Sequence, residues 1–163
     1  MQGTGAKNTE PDVMRTLGML VPGSARVMLA VLGVALVALF FRWFVKQHDF
    51  SRTALEDWGH AYLVPAVSLG LVWVNRAGIL STQATTYWPG LAPLLCGVAS
   101  YFFFVVGVPN HLGQGLSLVL TVAGLAILLM GPAMFRWFFL PIAYLGFGIT
   151  VSEQIMIKAT FPL

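Results

Sequence analysis

Residues 25 to 45 read ARVMLAVLGVALVALFFRWFV, an apolar run in which only Arg26 and Arg42 are charged, each close to one end. A helix of that length is roughly 30 Å long, which is the thickness of a bilayer's hydrocarbon core. Arginines near the ends of such a helix reach the headgroups by extending along its axis. The run therefore commits the chain to a membrane, and composition agrees. The 163 residues are 58% hydrophobic and 9% charged, far from the balance of a soluble domain.

Four further apolar segments follow. Ala61 to Asn75 is short and needs Trp58, Trp73 and Arg76 at the headgroup level. Trp88 to Val108 opens with Trp-Pro-Gly, suited to a first helical turn, where proline's missing N–H is not needed. A PNHLGQ connector leads to Gly115 to Gly131, and GPAMFR turns the chain into Trp137 to Val151. The expected fold is all-α: a polytopic transmembrane bundle of about five spans near 25–45, 61–75, 88–108, 115–131 and 137–151. Gly115, Gly124 and Gly131 are candidates for close helix approach, although their spacing is not GxxxG.

Residues 1–24 mix Gly, Pro, Thr and charges and read as a loose cytoplasmic arm; 25–151 form the membrane domain. Residues 152–163 read as an interfacial tail that ends abruptly, as in a truncated chain. The arm and first run resemble a signal peptide, but the run is long and no small-x-small cleavage site follows it, so a retained signal anchor is expected. With the N-terminus cytoplasmic, Lys7, Arg15, Arg26, Arg76 and Arg136 lie inside, against Arg42, Lys46, Arg52 and Lys158 outside. This orientation, in a bacterial inner membrane, puts His48, His60 and His111 near the outer face. The net charge of +3 comes from residues that mostly flank apolar runs, so no nucleic-acid partner is read from it. The expected partner is the lipid bilayer.

No residue of this chain is read as catalytic. The single cysteine, Cys96, falls inside an apolar helix, where loss of water disfavours the thiolate, and is expected to be a packed, inert thiol among Leu94, Leu95 and Val98. His60 and His111 end different segments and specify no haem. His48, Asp49, Glu56, Asp57 and His60 lack the tight spacing of a metal site and read as a solvated loop. Neither a metal nor another cofactor is expected. Tyr101, Phe102, Phe103 and Phe104 would surround a helix and read as lipid contact and packing.

One stretch carries a resemblance. WGHAYLVPAVSLGLVWVNR, residues 58 to 76, resembles the exosortase and archaeosortase pattern, in which His and Gly precede a Leu-Val-Pro run that ends in Trp and basic residues. His60, Pro65, Trp73 and Arg76 match, while Ala61 stands where that family commonly has glycine. TTYWPGLAPLL resembles the family's Trp-Gly opening of its next helix. In residues 116 to 148, Ser117, Gly124, Gly131, Arg136 and Pro141 fall in register, but GITVS replaces the usual Ile-Pro-Leu-Pro end.

The resemblance implies a membrane-embedded cysteine peptidase or transpeptidase that removes C-terminal sorting signals, such as the PEP-CTERM type, from exported proteins by acyl transfer through a thioester. That chemistry takes a thiolate, a proton-transferring histidine and an arginine at the oxyanion. In the family the nucleophile lies in an Ala-Cys-Ser-Gly motif downstream of the matched region, and no such motif occurs in this chain; Cys96-Gly97 is a different context. The expectation is thus an N-terminal membrane portion, inactive alone, in which His60, Pro65, Trp73, Arg76, Arg136 and Pro141 support a site completed elsewhere. The alternative is a small non-enzymatic membrane subunit of an export or polysaccharide system.

Overall fold

A computed structural model describes residues 23–53 and 60–149. The segment expected to be a cytoplasmic arm, up to residue 22, residues 54–59, and the segment expected to be an interfacial tail lie outside the described residues. Among the described residues there is no strand. Helix α1 spans Gly23–Thr53, α2 His60–Val74, α3 Arg76–Ser81 and α4 Leu91–Phe102. A 3-10 turn, Trp88–Gly90, leads into α4, and a π-helical turn, Phe103–Gly107, ends it. Helix α5 runs His111–Leu145 and closes in a 3-10 turn, Gly146–Gly148. By contact density the chain divides into two units, Met1–Phe41 and Arg42–Leu163; the bundle and the site lie in the second. What is described of the first is the helical stretch 23–41, which is largely apolar.

Three helical runs are long and apolar enough to cross a membrane: Val27–Arg52, Trp88–Gly107 and His111–Gly148, with Ala61–Val74 a shorter apolar helix. Drawn straight, the last run would measure roughly 57 Å, nearly twice a hydrocarbon core. It is not straight. Gly131 has φ 74° and ψ 168°, outside helical geometry, and the helix resumes at Pro132. The two ends of the run meet: Gln47 reaches both His111 and the Gly148 carbonyl, and a Cβ on Gly115 would lie 2.6 Å from Ile149 Cγ2. The run is therefore a hairpin folded at one residue, with arms 111–130 and 132–148.

The expected turn over GPAMFR is much tighter than its six residues suggest. Glycine alone takes a positive φ without steric cost, and proline without its N–H opens the second arm at no loss. The carbonyls that end the first arm are paired by a crossing segment: Thr85 N donates to Met130 O at 3.3 Å, and Tyr87 N to Leu128 O at 2.9 Å.

Helix α4 packs antiparallel on the first arm through small residues. The Leu94 backbone presses on Gly124, leaving no room for a side chain, and a Cβ on Gly97 would sit 2.5 Å from Thr121 Oγ1. Apolar side chains gain little by leaving lipid for one another, so van der Waals contact between closely approaching backbones holds such a pair together. The buried hydroxyls on this seam are satisfied within their own helix, Ser117 Oγ by Gly113 O and Thr121 Oγ1 by Ser117 O, each at 2.7 Å. Helix α2 packs antiparallel on the second arm, with Val64 beside Gly148 and buried Ser68 donating to Pro141 O at 2.8 Å.

Two further expectations change. Helix α1 continues to Thr53, so His48 and Asp49 stand on helix rather than in a loop; packing of Trp43 and Phe50 on His111 extends it past the apolar run. Cys96 is exposed, with Leu95 beside it 57% exposed, instead of packed inside. Gly97 occupies the contact face, and that rotation turns its neighbour outward. The aromatic cluster divides between packing and outward contact as expected: Tyr101 is buried at 4% exposure, while Phe102 and Phe103 are more than half exposed.

Candidate functional site

The polar side chains of the bundle gather at the end where α1 finishes, α2 starts and both arms of the hairpin terminate. Its centre is His111, the first residue of α5. Its ring lies parallel to Trp43, with centroids 5.4 Å apart, and meets the edge of Phe50 at 5.1 Å. Trp43 Nε1 also donates to the His111 carbonyl at 3.2 Å.

Gln47 ties this centre to the far end of the chain. Its Nε2 donates to Gly148 O at 2.8 Å, and its Oε1 lies 2.9 Å from His111 Nε2. A carbonyl only accepts, so the amide nitrogen must face Gly148 and the amide oxygen His111. His111 Nε2 therefore carries the proton. The buried Nδ1 is left with its lone pair and has no hydrogen-bond partner. A neutral imidazole in this tautomer is an acceptor held in place by two aromatic rings and one amide.

The start of α5 is shaped by the wide turn before it. Val108 N bonds to Phe103 O at 3.0 Å, as a π turn requires, and leaves Phe104 O to accept from Gln114 Nε2 at 2.8 Å and Asn110 N at 3.3 Å. Asn110 caps the helix, its side chain accepting from Gly113 N at 3.2 Å. Gln114, 7% exposed, is thereby a satisfied buried amide. Nearby, the Tyr62 hydroxyl lies 3.0 Å from His48 Nδ1, joining α1 to α2.

His60 opens α2 at this same end, and its side chain lies outside the described ones. The other family-matched residues are not brought to it. Pro65 lies inside α2 on its exposed surface, where its missing N–H leaves the Ala61 carbonyl without the usual helical partner. Pro141 is fully buried in the second arm. Trp73, Arg76 and Arg136 lie at the opposite end of the bundle, where Gly78 and Thr82 meet Trp137. The six are thus spread along the bundle, with His60 at one end, Trp73, Arg76 and Arg136 at the other, and Pro65 and Pro141 between.

Gln47, Asn110, Gln114 and Tyr62 were not singled out from the sequence. Asn110 had a readable signal, an N-cap type directly before an apolar helix. Gln47 and Gln114 are isolated amides in apolar surroundings, and such a group must find a partner when removed from water. Among the described residues no group of histidine, cysteine and carboxylate side chains is arranged to hold a metal ion. Cys96 lies on α4 away from this end, with exposed Leu95 next to it.

In comparison with known proteins, the family model described as "Transmembrane exosortase (Exosortase_EpsH)" matches residues 51–163. No curated protein matches the chain, and no solved structure matches it.

Proposed function

We propose a role that starts from one premise: the chain belongs to the transmembrane exosortase family. In this reading residues 25–151 are the membrane scaffold of a cysteine transpeptidase that processes C-terminal sorting signals, of the PEP-CTERM type, on exported proteins. The scaffold crosses an inner membrane five times with its N-terminus inside, the hairpin at Gly131 contributing two crossings. The family match carries the proposal. The gathering of His48, His60 and His111 at one end supports it, because that end would then meet exported substrates at the outer face.

The acyl-transfer step itself needs a thiolate with a base in reach. Cys96 stands outside the Ala-Cys-Ser-Gly context of the family's nucleophile, so in this reading the scaffold serves a site whose nucleophile is supplied elsewhere. His60 orders the outer end of α2, and Pro65 lies inside that helix; Trp73, Arg76 and Arg136 anchor the inner end, and Pro141 seats the second arm against Ser68.

Photo-crosslinking tests the substrate assignment. A photoreactive residue at Tyr62 should capture a peptide bearing a Pro-Glu-Pro sorting signal and its apolar segment, and the same residue at Trp88, at the other end, should not. Capture at neither position, or equal capture of a scrambled peptide, would overturn the proposal.

A further inference from the structure

Between Trp58 and Ser152 the chain contains no aspartate or glutamate, and its only lysine or arginine residues are Arg76 and Arg136. The fold carries both to one end. A Cβ on Gly78, two positions after Arg76, would lie 2.5 Å from the Trp137 ring, which adjoins Arg136, and Trp137 Nε1 donates to Thr82 Oγ1 at 3.2 Å. Each guanidinium lies over a tryptophan, Arg76 at 4.7 Å from the Trp73 centroid and Arg136 at 5.0 Å from that of Trp137. Arg76 Nη1 also donates to Trp73 O at 3.2 Å. Both arginines are exposed. Among the described residues the only carboxylate is Asp49, on α1 at the histidine end.

We propose that this end binds the phosphate of an anionic phospholipid headgroup between Arg76 and Arg136. Trp73, Tyr87, Trp88 and Trp137 gather at this end as an interfacial aromatic belt does, which puts the guanidinium groups at the depth of lipid phosphates. A guanidinium offers five N–H donors in a fork that matches phosphate oxygens. Stacking on tryptophan holds each fork in place and leaves its edge open. A zwitterionic lipid fits less well. Its ammonium finds no carboxylate among the described residues here, and guanidinium groups already cover the Trp73 and Trp137 faces that would attract it. An amine-free headgroup, such as phosphatidylglycerol, meets only complementary charge. The assignment is independent of any peptidase activity.

The test uses the full chain in nanodiscs of phosphatidylcholine with a minority of spin-labelled phosphatidylglycerol, reading quenching of tryptophan fluorescence and the lipid retained in native mass spectrometry. Two basic residues at about 1 kcal/mol each give roughly a thirtyfold preference for the anionic lipid. Joint Arg76→Gln and Arg136→Gln substitution should remove that preference, and joint substitution by lysine should keep an intermediate one, with helicity by circular dichroism unchanged in both. Lys46→Gln removes the same kind of charge at the other end and should leave the preference intact, and added inorganic phosphate should not compete. Equal retention of the two lipids by the unaltered chain would overturn the proposal. So would an equal loss in Lys46→Gln, which would make it an effect of total charge, or displacement by inorganic phosphate, which would make it an ion site.

Discussion

Gln47 Nε2 donates to the carbonyl of Gly148 at 2.8 Å, a hydrogen bond between residues 101 positions apart that closes the histidine end of the bundle. The same side chain accepts from His111 Nε2, so one amide joins α1 to both ends of the hairpin.

Replacing Gln47 with Leu strands the Gly148 carbonyl and the His111 N–H together. At about 1–3 kcal/mol for each buried polar group left unpaired, thermal unfolding in detergent should show a clear loss. His111→Phe keeps the ring stacking and removes only the bond from Nε2 to Gln47 Oε1, since Nδ1 has no hydrogen-bond partner to lose. Its loss should be the smaller of the two; the reverse order would show that the Gly148 bond contributes little.

Gly124→Ala puts a methyl group into the Leu94 backbone. Overpacking of this kind costs about 1–3 kcal/mol, measurable by steric-trap or denaturant unfolding in micelles. Gly70→Ala is the matched control: it lies in α2 with nothing within 4 Å of the new methyl, and should be neutral or stabilising by up to about 1 kcal/mol through helix propensity.

Gly131→Ala meets two obstacles at once, a φ of 74° and the Thr85 carbonyl oxygen 2.7 Å from the new Cβ. The hairpin should open or shift. Engineered cysteines at Gly115 and Ile149 in a Cys96→Ser background should crosslink while Gly131 is present and lose that crosslink in the alanine variant; unchanged crosslinking would mean that another residue sets the fold-back.

Orientation is testable by labelling with an impermeant thiol reagent in intact cells, again in a Cys96→Ser background. Ser51 is only 1% exposed, so Arg52→Cys is the better probe of the histidine end, and exposed Gln83→Cys of the arginine end. Labelling at Arg52→Cys and not at Gln83→Cys is expected from the small excess of basic residues assigned to the cytoplasmic side. The opposite pattern would invert the topology.

In a protein that carries both this scaffold and the family's catalytic segment, His60→Ala should lower processing of a sorting-signal substrate without abolishing it, as expected of a residue that orders a helix end. Complete loss with normal folding and expression would make His60 catalytic.

The membrane character of the chain, its helical class and the family were legible in the residues themselves. Apolar runs of bilayer length admit no other backbone arrangement than one bonded within itself, and the His60 to Arg76 series orders polar residues in a way apolar composition alone does not produce. That each run is helical followed for the same reason, since it is a local property; where each helix ends did not, as α1 reaching Thr53 shows. What the tertiary structure alone decided was partnership. The tightness of the turn at Gly131 depends on Thr85 crossing above it, and the exposure of Cys96 depends on Gly97 facing Thr121. The separation of His60 from Trp73, Arg76 and Arg136 follows from α2 lying antiparallel to the second arm. Lone amides such as Gln47 announce only that they need a partner; which one they find depends on chain folded from a hundred residues away, and no local pattern encodes that distance.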